Sequence, residues 1–174
     1  MLRELVLHIA DLVENSIAAG ASLITIEVIE DIQADRLTLR VIDDGRGMDA
    51  DWAARVTDPF VTSRAMRQVG LGLPFLKQAA ELCNGGLTID SEPGVGTTVT
   101  ATMQYTHIDR MPMGDLPGTI LTLVVGNPTC DFVFRHIVGA RTFEFDSRWI
   151  KVHLDGVSLS EPQVITFLKK ALRE

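Results

Sequence analysis

The chain of 174 residues is 46% hydrophobic and carries 23 acidic against 16 basic side chains, a formal net charge of −7. That apolar content excludes disorder and is enough for a buried core without a disulfide framework. The acidic balance, with no Lys/Arg block, excludes the electrostatic footprint of a nucleic-acid binder. Cys83 and Cys130 form no C-x-x-C pair, so two buried thiols in a reducing cytoplasm are expected. No apolar run reaches the ~18 to 20 residues of a membrane span. Glu4 and Asp11 interrupt the first apolar stretch, which therefore does not read as a signal peptide.

Leu2, Leu5, Val6, Ile9, Leu12, Val13 and Ile17 recur at helical spacing ahead of Gly20, which predicts a helix over about 2–19. Ile24, Ile26 and Val28 alternate with polar residues, and Leu37, Leu39 and Val41 repeat the pattern after a polar turn, as in a hairpin with one buried face. A polar segment then runs from Asp43 to Gly70. From Pro74 to Leu82 the period is helical again, and Gly85 and Gly86 precede two further strands, Leu87 to Ser91 and Thr97 to Met103. This α-β-β-loop-α-β-β order predicts an α+β, two-layer sandwich: a mixed, mainly antiparallel sheet with helices on one face.

The Pro-, Gly- and Met-rich stretch from Met111 to Pro117 reads as a linker between a first domain, residues 1–108, and a small α-β-β-α extension, residues 115–174. The extension contains a helix capped by Asp115 and Gly126, an alternating strand over Phe132, Phe134, His136 and Val138, and a partner strand through Phe143 and Phe145. A last helix opens near Ser160. The Phe/His/Arg strand pair reads either as an exposed partner or dimer surface or as an extension packed on the main sheet. His8, His107, His136 and His153 read as packed or surface residues, with His8 facing either a pocket or the core.

Four signals carry chemistry, and they fall in one order. Asp11 and Asn15 are four residues apart on one helix face, where a carboxylate and an amide oxygen suit a hard cation or an attacking water. Asp43 ends an apolar strand just before Gly45 and Gly47, a place from which a carboxylate can accept from an exocyclic amine. Gly70 and Gly72 open a helix whose free N–H groups can meet phosphate. The lysine of a Walker-type loop is missing, and so is a G-x-G-x-x-G fingerprint. Gly94-Val95-Gly96-Thr97 turns between the last two strands of the first domain and sets a hydroxyl near the same place.

The stretches "DLVENSIAAGA", "VIDDGRGMD", "DPFVTSR", "GLGLPFLKQAAEL" and "SEPGVGTTV" resemble, in order, the boxes of the GHKL ATP-binding superfamily, which unites sensor histidine kinases, gyrase B, heat-shock-90 chaperones and mismatch-repair ATPases. The resemblance covers about residues 1–105. It implies an ATP site with Mg2+, in which Asn15 is the metal-binding asparagine and Asp43 accepts from the adenine amine. Gly45 and Gly47 would shape that wall, Gly70 and Gly72 border the triphosphate under a lid over about 62–69, Arg64 meet a phosphate, and Thr97 back the adenine site. The later boxes are similar to the histidine kinase branch and the first box to the mismatch-repair branch. Where the ATPase branches carry a water-activating glutamate, this chain has the shorter Asp11. The reading that follows is a cytoplasmic histidine-kinase-like protein in signal transduction that passes the γ-phosphate of ATP to a protein partner or phosphoacceptor. A nucleotide-gated, anti-sigma-like binding module and a slow ATPase are the alternatives. Neither nucleic acid nor membrane is an expected partner, and a second copy of the chain is a candidate one.

Overall fold

The computed structural model describes residues 4–58 and 72–173. Arg64, Gly70 and the expected lid over 62–69 lie outside the described residues. In chain order the elements are α1 (Leu5–Ala18), β1 (Leu23–Asp31), β2 (Arg36–Asp43), α2 (Ala50–Arg55), α3 (Gly72–Leu82), β3 (Gly86–Glu92) and β4 (Gly96–Gln104). They continue with α4 (Leu116–Gly126), β5 (Asp131–Val138), β6 (Arg141–Asp146), α5 (Ser147–His153) and α6 (Pro162–Arg173). Two short helices escape the sequence periodicity. Each is set by an aspartate cap rather than by an apolar stripe: Asp49 accepts from the Trp52 N–H at 2.8 Å, and Asp146 from that of Arg148 at 3.0 Å.

The six strands form one sheet in the order β3-β4-β2-β1-β5-β6. Every neighbouring pair is antiparallel except β1 and β5, which run parallel with Ile24 opposite Phe132 and Val28 opposite His136. The period-2 pattern decides which face is covered. Ile24, Ile26, Val28, Leu37, Leu39, Val41, Ala101 and Met103 are all buried in one core with Leu5, Ile9 and Val13 of α1, Leu76 of α3 and Ile120 of α4. On the opposite face Glu27 lies between Arg40 and Arg135, bonded to each, and Arg135 also pairs with Glu144.

The β5-β6 hairpin extends this same sheet. Phe132 is 0% and Phe134 1% exposed, and both belong to the core cluster that contains Leu5 and Ile24. Of the two readings of the Phe/His/Arg strand pair, packing against the main sheet is therefore the observed one for its phenylalanines. The stretch read as a linker is also fixed in place: the first N–H groups of α1, those of Leu5 and Val6, donate to the carbonyls of Pro112 and Met113 at 3.0 Å each. These main-chain bonds satisfy two of the orphan donors at a helix start that has no side-chain cap. Among the described residues, no helix is long and apolar enough to cross a membrane.

Candidate functional site

Strand register builds the candidate site. Asp43, the last residue of β2, lies opposite Thr97 on β4, and Thr97 lies opposite Ser91 on β3, so three polar side chains share one rung at the end of the sheet. Ser91 Oγ and Thr97 Oγ1 are 2.7 Å apart, and Ser91 also accepts from the Met48 N–H at 2.8 Å. Each oxygen of Asp43 has a donor: Ser16 Oγ on α1 donates to Oδ2 at 2.6 Å, and the Gly45 N–H donates to Oδ1 at 2.9 Å. A carboxylate oxygen has two lone pairs, so the group is held in orientation yet can accept from a further donor.

The glycines act on the backbone around this carboxylate. Gly47 sits at φ +72, and a Cβ on it would collide with the carbonyl of Glu92. Gly96, at φ +145, would in the same way strike the carbonyl of Asp43. Both positions need a residue without a side chain, because loop 44–48 passes in backbone contact with the β3–β4 turn and the start of β4 with the end of β2. Arg46 secures the same loop from the other side, its N–H donating to Ala19 O at 2.9 Å and its guanidinium to Ala18 O at 2.8 Å. Asp44 turns away from the site, where the Ser22 hydroxyl and the amides of Ser22 and Leu23 hold its carboxyl below the usual range.

These elements enclose a cavity of about 300 Å³. Its apolar walls include Leu12 of α1, Val41 of β2, Val99 of β4 and Leu73 of α3, while Asn15, Asp43, Gly47 and Thr97 supply polar atoms. Two buried donors on the lining, Asn15 Nδ2 and Trp52 Nε1, have no hydrogen-bond partner among the described residues. Buried donors are nearly always paired, so two orphans on one cavity point to an acceptor beyond the described residues. Asp11 lies one turn before Asn15, against the start of α3, where a Cβ on Gly72 would stand 3.3 Å from Asp11 Oδ2. Burial, and next the charge of Glu14, push the Asp11 carboxyl above its ordinary range.

Of the residues singled out from sequence, Asn15, Asp43, Gly47 and Thr97 thus meet on one cavity, with Gly45 bonded behind Asp43 and Asp11 and Gly72 packed together beside it. Ser16, Ser91 and Trp52 were not singled out. Ser16 sits directly after Asn15 and could have been reached from the helix, being at the position that turns toward the end of β2. Ser91 and Trp52 depend on strand pairing and on a capped turn that leave no periodic trace.

A sheet backed by helices on one face, with a half-apolar slot between the first helix and a strand that ends in a fixed aspartate, is the architecture of the GHKL class of ATPase domains. Residues 2–107 match the family of histidine kinase-, DNA gyrase B- and HSP90-like ATPases, and the chain belongs to that family. It is 35% identical over 104 residues to the heme sensor protein HssS of Staphylococcus saprophyticus, a match that covers 58% of this chain and 23% of that protein. With the sensor histidine kinase RcsC of Salmonella typhimurium it shares 32% identity over 110 residues, 57% of this chain and 11% of the kinase. The chain thus matches less than a quarter of the length of either. Its fold is similar to the MutL ATPase domain of Aquifex aeolicus solved with ADP, with a TM-score of 0.52 at 16% identity, over 98% of this chain and 70% of that one.

Proposed function

We propose that the chain binds Mg-ATP in this cavity and passes the γ-phosphate to a partner protein in a signalling or regulatory role. The observation that carries the reading is Asp43, a carboxylate oriented by Ser16 and Gly45 on a half-apolar slot. An adenine ring fills such a slot, and its exocyclic amine finds an acceptor there that guanine, with a carbonyl at that place, does not match. Asn15 lines the same cavity, where its amide oxygen would be a hard ligand for the metal and its unpartnered Nδ2 a donor to a phosphate oxygen. Among the described residues no group of three or more His, Cys, Asp or Glu gathers to hold a metal, which suits an ion held mainly by phosphates and water. Bound there, Mg2+ supplies charge neutralisation for the triphosphate.

Asp11 is the candidate base for the acceptor. Its raised pKa makes it a better proton acceptor than an ordinary carboxylate. It is also one methylene shorter than the glutamate of the ATPase branches that the sequence resembles, which favours a nucleophile delivered by a partner over a water bound close to the helix. Arg64 and Gly70 are assigned to the phosphates by the resemblance alone, and Thr97 to the adenine side of the slot.

The test uses the chain with Mg2+ and either α- or γ-labelled ATP, added to a lysate of the cells it comes from. The expected result is acid-labile γ-label on a protein band, missing with α-label and missing when Asp43→Ala replaces the native chain. Nucleotide retained with no labelled band would reassign the chain to a nucleotide-gated binding module. Rapid phosphate release without a band would make it an ATPase.

A further inference from the structure

Ser16 stands in the last turn of α1 and is 3% exposed, yet it lines the Asp43 cavity. Its hydroxyl has one hydrogen and two acceptors in reach: the Leu12 carbonyl one turn back, at 3.2 Å, and Asp43 Oδ2, at 2.6 Å. A serine with no task beyond the helix gives its hydrogen to the carbonyl four residues back. Here the shorter contact and the charged acceptor both favour Asp43, because a hydrogen bond to a carboxylate is shorter and stronger than one between neutral groups.

The two groups that hold Asp43 differ in origin. The Gly45 N–H belongs to the same loop, two residues on, and travels with the carboxylate. Ser16 is 27 positions away and comes from the helix layer, so its bond ties the end of β2 to α1. From α1, Leu12 and Asn15 also line the cavity. A base in the slot rests against that helix, and its exocyclic amine meets the carboxylate only if the carboxylate keeps its place relative to the helix. The torsion that turns a carboxylate about Cβ–Cγ is broad. With the Gly45 N–H alone, one oxygen is fixed and the other swings.

We infer that Ser16 is a positioning residue for base selection: by donating to Asp43 Oδ2 it holds the carboxylate where a 6-amino purine can donate to it. This rests on the ATP reading above. It assigns the preference for the amino edge to a pair of residues, one on the helix and one on the sheet, instead of to Asp43 alone.

The test is a two-by-two comparison by calorimetry, with Mg2+ present throughout. The full chain and its Ser16→Ala variant are each titrated with ATP and with the 5′-triphosphate of purine riboside, in which hydrogen replaces the amine. The native chain is expected to prefer ATP by roughly 10-fold or more, the worth of a hydrogen bond to a charged group. Ser16→Ala lowers that preference roughly fivefold by weakening ATP, and it leaves the amine-free nucleotide within about twofold of its native affinity. Alanine is the best helix former and leaves no hydroxyl unpaired, so the variant keeps the fold. A serine that only supports the structure would weaken both nucleotides alike, and that result overturns the inference. An unchanged preference in Ser16→Ala overturns it as well, with the ATP reading left standing. A native chain that binds neither nucleotide, or binds both equally, overturns the reading of the cavity and this inference with it.

Discussion

Asp43→Ala is expected to weaken ATP binding in calorimetry by roughly 10- to 150-fold. That is the worth of a hydrogen bond to a charged group, about 1.5–3 kcal/mol, at a half-buried position. The substitution deletes the acceptor for the adenine amine and also strips Ser16 and the Gly45 N–H of their shared partner. Asp43→Asn separates these effects. It keeps the size and one accepting oxygen, but it sets an NH2 group against a donor, so binding falls less than in the alanine variant. Trp52 offers an optical check: it lines the cavity, whereas Trp149, the other tryptophan of the chain, is 62% exposed. In a Trp149→Phe background ATP should change the remaining emission, and Asp43→Ala should abolish that change. Unaltered ATP affinity in a folded Asp43→Ala protein would falsify the assignment of the cavity.

Ending the chain after residue 108 is expected to cost the fold itself. The cut removes Phe132 and Phe134 from the core and leaves β1 without its parallel neighbour. Deleting either phenyl ring alone from a core of this kind costs about 3–5 kcal/mol, which is comparable to the whole stability of many domains. The main-chain acceptors of Pro112 and Met113 would go too, leaving the first turn of α1 with unpaired N–H groups. Residues 1–108 alone should therefore be insoluble or show the narrow amide dispersion of a molten state in a ¹H–¹⁵N spectrum. A soluble fragment with dispersed peaks would establish 1–108 as a domain that folds by itself.

The parts that were legible from sequence are those where periodicity and burial coincide. The stripe of α1, the hairpin β1-β2 and the strand β4 each bury one face, so Ile24, Leu39 and Ala101 declare themselves by spacing. Asp43 was legible because its strand end and glycines stand in order with the other stretches that resemble the superfamily; alone, an Asp-Gly turn is common. The parallel pairing of β1 with β5 was not, because it is a contact between residues about a hundred positions apart that share no turn. The same holds for Ser91, whose partners Thr97 and Met48 come from another strand and a distant loop. The open choice for His8, pocket or core, resolves to a buried ring on a cavity other than the one beside Asp43.

The two cysteines mark the opening of separate regions in time. Cys83 follows the last turn of α3 and is 2% exposed; Cys130 stands just before β5, is 6% exposed and donates its thiol to Ala21 O at 3.2 Å. Burial above all raises both thiols, so neither offers a thiolate while the native contacts hold. An alkylating reagent then acts as a clock, because modification at each site waits for local opening. If the sheet opens as one unit, the two sites take up label at the same rate. If the β5-β6 edge lifts first, Cys130 runs ahead, and the logarithm of the ratio of the two rates, each taken relative to the unfolded thiol, gives the difference between the two opening free energies.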